Sequence, residues 1–158
     1  MIDWNIYETF KNLPYEEIHI NSGKINWFNV ATTPGLSEEF IREFQDEFKK
    51  SLHWAYICLY QVLSEDFIRE FQNKVHWCCV SKAQKLSENF IREFQDKVKW
   101  ASISQYQVLS EDFIKEFQHK VYWFYIVNCQ DLSENFLKEL QNNINLLDKQ
   151  YKPCYGRG

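Results

Sequence analysis

Several features that mark catalysis, nucleic-acid binding or membrane insertion are missing from this chain. It has no glycine-rich loop of the kind that cradles phosphate, and no nucleophile turn. The net charge of −4 and the lack of a basic run give no general attraction to a phosphate backbone. No apolar stretch approaches membrane-spanning length, and the opening residues, MIDWNIYETF, lack a charged and then apolar leader. We therefore expect an intracellular, soluble protein that binds no nucleic acid and inserts into no membrane.

The 5 cysteines are an odd number and follow no regular spacing. A chain of 158 residues is long enough to form a core without disulfides, so reduced thiols are expected. No third residue that could orient a cysteine and histidine pair is evident, and we predict that the protein is not an enzyme and has no catalytic residues.

What the chain has is one motif, W-x-x-[IV]-x-x-x-x-x-L-S-E-x-F-I-x-E-F-Q, written repeatedly. Its tryptophans recur at steps of 23, 27, 23, 23 and 23 residues, and a leucine follows each of them nine residues later. A fixed period in this range indicates stacked supersecondary units that cover one another's apolar faces. The tryptophans are Trp4, Trp27, Trp54, Trp77, Trp100 and Trp123, and we number the repeats 1 to 6 from them.

The second half of each repeat has the pattern of an amphipathic helix. In repeat 3, Phe67, Ile68, Phe71 and Val75 fall on one helical face, and Ser64 stands where an N-cap is expected. Glutamates four residues before a lysine or arginine predict ion pairs on the solvated face. These pairs are Glu65–Arg69, Glu70–Lys74, Glu88–Arg92, Glu93–Lys97, Glu111–Lys115 and Glu116–Lys120, and the equivalent caps are Ser37, Ser87, Ser110 and Ser133.

The first half of each repeat predicts a short helix, since Trp54, Ile57 and Tyr60 are spaced three apart. The longer step in repeat 2 adds four residues between Phe44 and Trp54. Four residues are about one helical turn, so the apolar face stays nearly in phase. The predicted fold is all-α, an α-solenoid of about six two-helix repeats.

We predict one repeat domain over residues 1–158. Residues 1–26 form a degenerate N-terminal cap repeat, residues 27–145 the repeats, and residues 146–158 a C-terminal cap and tail. The segment LPYEEI has a faint likeness to the opening of an F-box. Because Leu13 and Ile18 align with Leu36 and Ile41 in the repeat frame, a degenerate cap is favoured.

The run LSEDFIREFQNKVHW, with LSENFIREFQDKVKW and LSEDFIKEFQHKVYW beside it, resembles the tandem short-repeat proteins of giant viruses of amoebae, the marseillevirus group especially. The resemblance covers about residues 27–145. It implies a viral origin, a helical repeat fold and a place in the host cytoplasm or the virion. It brings no catalytic residues to this chain.

Comparison of the repeats with one another places most differences on the first helix, one, two, four and five residues after each tryptophan. These side chains line a partly apolar groove if they share one surface. The alternatives are drift at unconstrained positions and packing between first helices. The residues predicted to bind a protein partner are Phe28, Tyr56, Leu59, Lys82, Gln105, Phe124, Tyr125 and Asn128.

Other recurring polar residues have structural explanations. The glutamines repeated in both helices predict ladders that satisfy backbone groups at corners. His53 and His76 lie near Cys78 and Cys79, but one repeat places the histidines roughly 8–10 Å apart, too far for one zinc ion. We predict no metal site and no cofactor. The favoured function is a non-enzymatic scaffold that binds a protein partner, and the alternative is a structural component of the virus particle.

Overall fold

The computed structural model describes residues 2–142, with side chains through residue 140, and every regular element in that range is a helix. The predicted all-α class is therefore confirmed. In the range described, none of the helices has the length and apolar character needed to cross a membrane. The predicted C-terminal cap and tail at residues 146–158 lie outside the described residues.

Each repeat contributes a first helix, which begins at or near its tryptophan. The first helices of repeats 2 to 6 carry buried residues on one side, as the spacing of apolar residues predicts. The first helices are α1 (Tyr7–Phe10), α3 (Trp27–Thr32), α5 (Ser51–Tyr60), α7 (Trp77–Ala83), α9 (Trp100–Tyr106) and α11 (Trp123–Cys129).

Each repeat also contributes a second helix that begins one residue after the serine, or after Pro14 in repeat 1. The five predicted serine caps are confirmed. In repeat 3, for example, the Ser64 hydroxyl accepts the Phe67 N–H at 3.1 Å. The second helices are α2 (Tyr15–Ile20), α4 (Glu38–Glu43), α6 (Glu65–Glu70), α8 (Glu88–Glu93), α10 (Glu111–Glu116) and α12 (Glu134–Asn142).

The chain forms two compact units, Met1–Gln84 and Lys85–Gly158. In the first unit α3 packs against α5 and α5 against α7, and in the second unit α9 packs against α11. This regular packing of successive first helices confirms the predicted α-solenoid of two-helix repeats. That all repeats form a single domain stays a prediction.

The core of repeats 2 to 5 includes a buried pair of apolar residues in the first turn of the second helix. In repeat 4 these residues are Phe90 and Ile91, both fully buried, with Phe94 packing on Phe90 at 4.7 Å between ring centroids. The equivalent buried pairs are Phe40 and Ile41, Phe67 and Ile68, and Phe113 and Ile114.

Most of the four-residue insertion of repeat 2 lies at the start of the next first helix. Helix α5 begins at Ser51, three residues before Trp54, whereas α7, α9 and α11 begin at their tryptophans. Phe48 is buried where the other repeats place a valine such as Val75. The insertion is therefore absorbed as roughly one added turn, and the buried face of the helix is kept.

Repeats 3 to 6 are each joined to the corner of the preceding repeat by the glutamine that lies seven residues after their tryptophan. The Gln84 carboxamide oxygen accepts the Leu63 N–H at 2.9 Å, and its nitrogen donates to the carbonyls of Cys58 at 2.7 Å and Gln61 at 2.8 Å. One buried side chain thus satisfies three backbone groups of the preceding repeat. The predicted structural ladder is confirmed for these residues, which we call the glutamine clamps: Gln61, Gln84, Gln107 and Gln130.

The second helices are joined by charged groups. The Glu38 carboxylate accepts the Ser64 N–H of the following repeat at 2.5 Å, and Glu111 does the same for Ser133 at 2.6 Å. This hydrogen bond from Ser133 lowers the pKa of Glu111. The glutamate that follows the capping serine therefore bonds to the next repeat at Glu38, Glu88 and Glu111.

The predicted ion pairs within second helices are only partly correct. Glu65–Arg69 and Glu88–Arg92 approach within 3.7 and 3.8 Å. Arg92, however, makes a closer pair at 2.8 Å with Glu116 of the next repeat. A partner on the neighbouring helix gives better geometry because the arginine also lies over the ring beneath it, at 4.9 Å in the case of Phe113.

Glu70 likewise pairs with Arg42 of the preceding repeat at 2.7 Å, and Lys115 pairs with Glu139 of the following repeat at 2.7 Å. Several charges that the spacing assigned to single helices thus connect successive repeats.

Candidate partner-binding surface

The first helices place two of the four varying positions toward solvent. One residue after the tryptophan, Phe28 is 38% exposed and Phe124 is 57% exposed. Five residues after it, Leu59, Lys82 and Asn128 are exposed. The remaining predicted binding residues, Tyr56, Gln105 and Tyr125, are half-buried.

The position four residues after the tryptophan does not belong to this surface, and its inclusion in the predicted groove was wrong. The side chains there are fully buried in repeats 2 to 5 because this side of each first helix packs on a neighbouring first helix. All four are small, as close helix approach requires. They are Ala31, Cys58, Ser81 and Ser104, and only Val127 in repeat 6 is exposed, at 46%.

Aromatic side chains on the outward side of α3 and α5 contact one another across the two helices. The Phe28 and Tyr56 rings meet edge to face with 5.1 Å between centroids, and Tyr56 stacks on Tyr60 at 5.8 Å. Leu59 lies beside Tyr60 in the sequence and is 38% exposed. We call Phe28, Tyr56, Leu59 and Tyr60 the N-terminal aromatic patch.

A second aromatic cluster surrounds the start of α11. The rings of Phe124 and Tyr125 lie 5.5 Å apart, and those of Tyr122 and Tyr125 lie 6.4 Å apart. Tyr122 is 50% exposed. We call Tyr122, Phe124 and Tyr125 the α11 aromatic patch.

Sequence comparison missed some exposed apolar residues at the C-terminal ends of first helices. Tyr60 and Tyr106 are about half exposed, and Val62 and Val108 are almost fully exposed. A signal was present, because repeats 3 and 5 share the run YQVLSEDF, in which the buried glutamine stands between the two exposed side chains. Their identity in the two repeats made them resemble scaffold residues, although they are not part of the core.

His53 lies beneath the N-terminal aromatic patch and is only 7% exposed. Its ring is 6.4 Å from Phe28 and 6.2 Å from Phe48, and its Nδ1 has no hydrogen-bond partner among the described residues. Burial, with a smaller effect of nearby Lys50, lowers the pKa of His53. The neutral form is therefore favoured in the folded protein.

The cysteines and histidines of repeats 3 and 4 form a local contact and no larger cluster. Cys79 Sγ lies 3.4 Å from His76 Nδ1, while Cys78 is exposed. No group of three or more potential metal ligands occurs in the part of the chain that the structure describes. Burial raises the pKa of the Cys79 thiol and raises that of Cys58 to about 12. Neither thiol is activated as a nucleophile by its surroundings.

Between Trp27 and Leu140, where side chains are described, large apolar residues that are exposed lie on first helices or within two residues of them. The second helices and the turns that follow them expose charged side chains such as Asp66, Asp96 and Glu134, each at least 90% exposed. The two sides of the repeats therefore offer different chemistry to a partner.

The chain matches no family model, no curated protein and no solved structure. The resemblance to giant-virus repeats, and the viral origin that it implies, stay predictions.

Proposed function

We propose that this protein is a non-enzymatic helical repeat scaffold that binds a protein partner through the exposed side chains of its first helices. The observation that carries the proposal is the segregation of exposed aromatic residues. Both aromatic patches belong to first helices, where side chains vary from repeat to repeat. Aromatic residues at such positions supply much of the binding energy of protein interfaces.

The chemistry of the patches favours a protein over a small polar ligand. Tyr56, Tyr60 and Tyr125 combine apolar ring faces with hydroxyl groups, which suits a partner surface that has both apolar side chains and hydrogen-bonding groups. No strongly basic cluster accompanies them, and the chain is acidic overall. Nucleic acid is therefore a poorer candidate for the same surface.

The surroundings of the thiols give no support for a cysteine nucleophile. In the part of the chain that the structure describes, Cys79 contacts His76, and the pKa of the Cys79 thiol is raised. A nucleophilic cysteine requires the opposite shift.

The test compares capture by the full chain with capture by two triple variants. Immobilised protein is incubated with lysate of infected host cells, and retained proteins are quantified by mass spectrometry. We expect a partner that the wild type retains and that Tyr56→Ala, Phe124→Ala and Tyr125→Ala, combined, release.

The matched control replaces three exposed residues at one equivalent position of second helices, Asp66, Asn89 and Asp112, by alanine. This control keeps the partner if first helices bind it, and circular dichroism confirms that both variants stay helical. Retention by the aromatic variant together with loss by the control would place binding on the second helices and refute the proposal.

A further inference from the structure

Repeat 6 exposes the surface that inner repeats use to join the next repeat. Val127 is 46% exposed, while its four equivalents are fully buried. Leu132 is partly exposed, while the equivalent leucines of repeats 2 to 5 are 5% to 7% exposed. We call Val127, Leu132, Glu134 and Lys138 the end face.

The charged members of the end face differ from their equivalents in the same way. The Glu134 side chain is 92% exposed, whereas Glu38 and Glu88, which accept a serine N–H from the following repeat, are 25% and 29% exposed. Lys138 is 68% exposed and makes a pair of 4.0 Å within its own helix, with Glu134. Lys115, at the equivalent place, pairs at 2.7 Å with the following repeat.

The inner joints specify what such a face accepts. The glutamine carboxamide of the following repeat enters the corner of the preceding repeat. The serine N–H of the following repeat bonds to a glutamate of the preceding repeat. A glutamate of the following repeat pairs with an arginine or lysine of the preceding repeat. In repeat 6 on repeat 5 these groups come from Gln130, Ser133 and Glu139. Measured from the tryptophan, they are the seventh, tenth and sixteenth residues.

The residues that follow repeat 6, 146–158, lack both the glutamine and the serine in the repeat frame. The step of 23 residues from Gln130 leads to Pro153, which has no carboxamide. Repeat 1 of a second copy is also unsuitable. It has Lys11 in place of the glutamine, Pro14, which lacks an N–H, in place of the serine, and Ile20 in place of the glutamate.

We propose that the end face docks a repeat of the same kind that belongs to another protein, one that carries glutamine, serine and glutamate at these three positions. The docking would continue the joint that already connects the repeats of this chain. It would bury Val127 against a small side chain and fill the corner before Leu132 with a carboxamide. This site is separate from both aromatic patches, so it stands or falls independently of them.

A synthetic peptide that copies residues 100–122 tests the proposal, because it supplies Gln107, Ser110 and Glu116 in the required frame. Binding of the labelled peptide to the full chain is followed by fluorescence anisotropy. We expect saturable binding, weakened about tenfold or more when the peptide's glutamine is replaced by methionine, since the loss leaves backbone groups of the corner unpaired.

Variants of the protein locate the bound peptide. Val127→Arg abolishes binding, whereas Val108→Arg, at a valine that is 93% exposed and outside the end face, leaves it unchanged. Circular dichroism confirms that both variants fold.

Three results would overturn the proposal. The first is no binding of the peptide at all. The second is binding that survives Val127→Arg, which would indicate exchange with an inner repeat. The third is self-association of the protein alone that Val127→Arg abolishes, which would make a second copy the occupant.

Discussion

The first and second helices of each repeat meet their neighbours by different means. First helices meet through small buried side chains and the glutamine clamps, which bond to backbone groups. Second helices meet through exposed ion pairs and through glutamates that accept serine N–H groups. Because the first-helix joints use backbone and small residues, the outward side chains of those helices are free to differ. The second-helix joints occupy the outward side chains themselves, and their sequence is accordingly uniform.

Replacing a core ring of a second helix gives the largest expected effect. Phe90→Ala empties a fully buried site and lowers the free energy of unfolding by about 3–5 kcal/mol. Phe28→Ala, on the exposed side of a first helix, lowers it by less than about 1 kcal/mol. Chemical denaturation measures both, and equal large losses would mean that Phe28 belongs to the core.

The next largest effect separates the two kinds of glutamine. Gln84→Met leaves three buried backbone groups without their partner, and we expect a loss of about 3 kcal/mol. Gln45→Met removes a half-buried side chain that bonds to its own helix and to Lys74, and it costs less than about 1 kcal/mol. Thermal unfolding measures both variants. Equal melting temperatures would show that the hydrogen bonds of Gln84 do not stabilise the contact between repeats more than those of Gln45 do.

The N-caps of first and second helices are expected to differ by a smaller amount of stability. Ser64→Ala removes the bond to the Phe67 N–H and costs about 1 kcal/mol. Lys99 stands at the N-cap of α9, and its side chain makes no capping bond. We expect Lys99→Ala to change the free energy of unfolding by only about 0.3 kcal/mol. Thermal unfolding of the two variants gives the difference, and a larger effect at Lys99 would contradict the assignment.

The smallest expected effect is a pH dependence from His53. Its pKa is lowered in the folded protein, so the unfolded chain binds more protons once the pH falls below the ordinary value of 6.5. The stability that the neutral ring allows is present at about pH 7 and falls toward about pH 5. His53→Leu removes this part of the pH dependence. A denaturant midpoint that varies with pH equally in both proteins would show that His53 contributes nothing.

Much of the scaffold was predictable from local patterns, since caps such as Ser64 and core residues such as Phe67 depend on neighbours within one helix. The buried position of Cys58 and Ser81 was not, because it depends on which side of a first helix meets the next one. Spacing within a single helix carries no information about that side. The ion pairs between second helices were missed for the same reason. Arg92 has a suitable glutamate four residues away in its own helix and a closer one on the next second helix.

The candidate surface was predictable only in outline. Variation among repeats pointed to Phe28 and Phe124, which are exposed. It also pointed to Ala31, which is buried, because small residues vary among themselves wherever only their size matters. Tyr60 and Val62 were missed because identity between two repeats can reflect a shared outer surface as well as a shared core.

The glutamine clamps have a direction, and that direction bears on how the protein is made. Each clamp closes the corner of the repeat that precedes it, so a corner cannot be completed until about 23 further residues have left the ribosome. Synthesis from the amino end therefore completes the corners in order. While repeats 2 to 5 are being synthesised, the newest of them lacks the glutamine that closes its corner until the next repeat has been made.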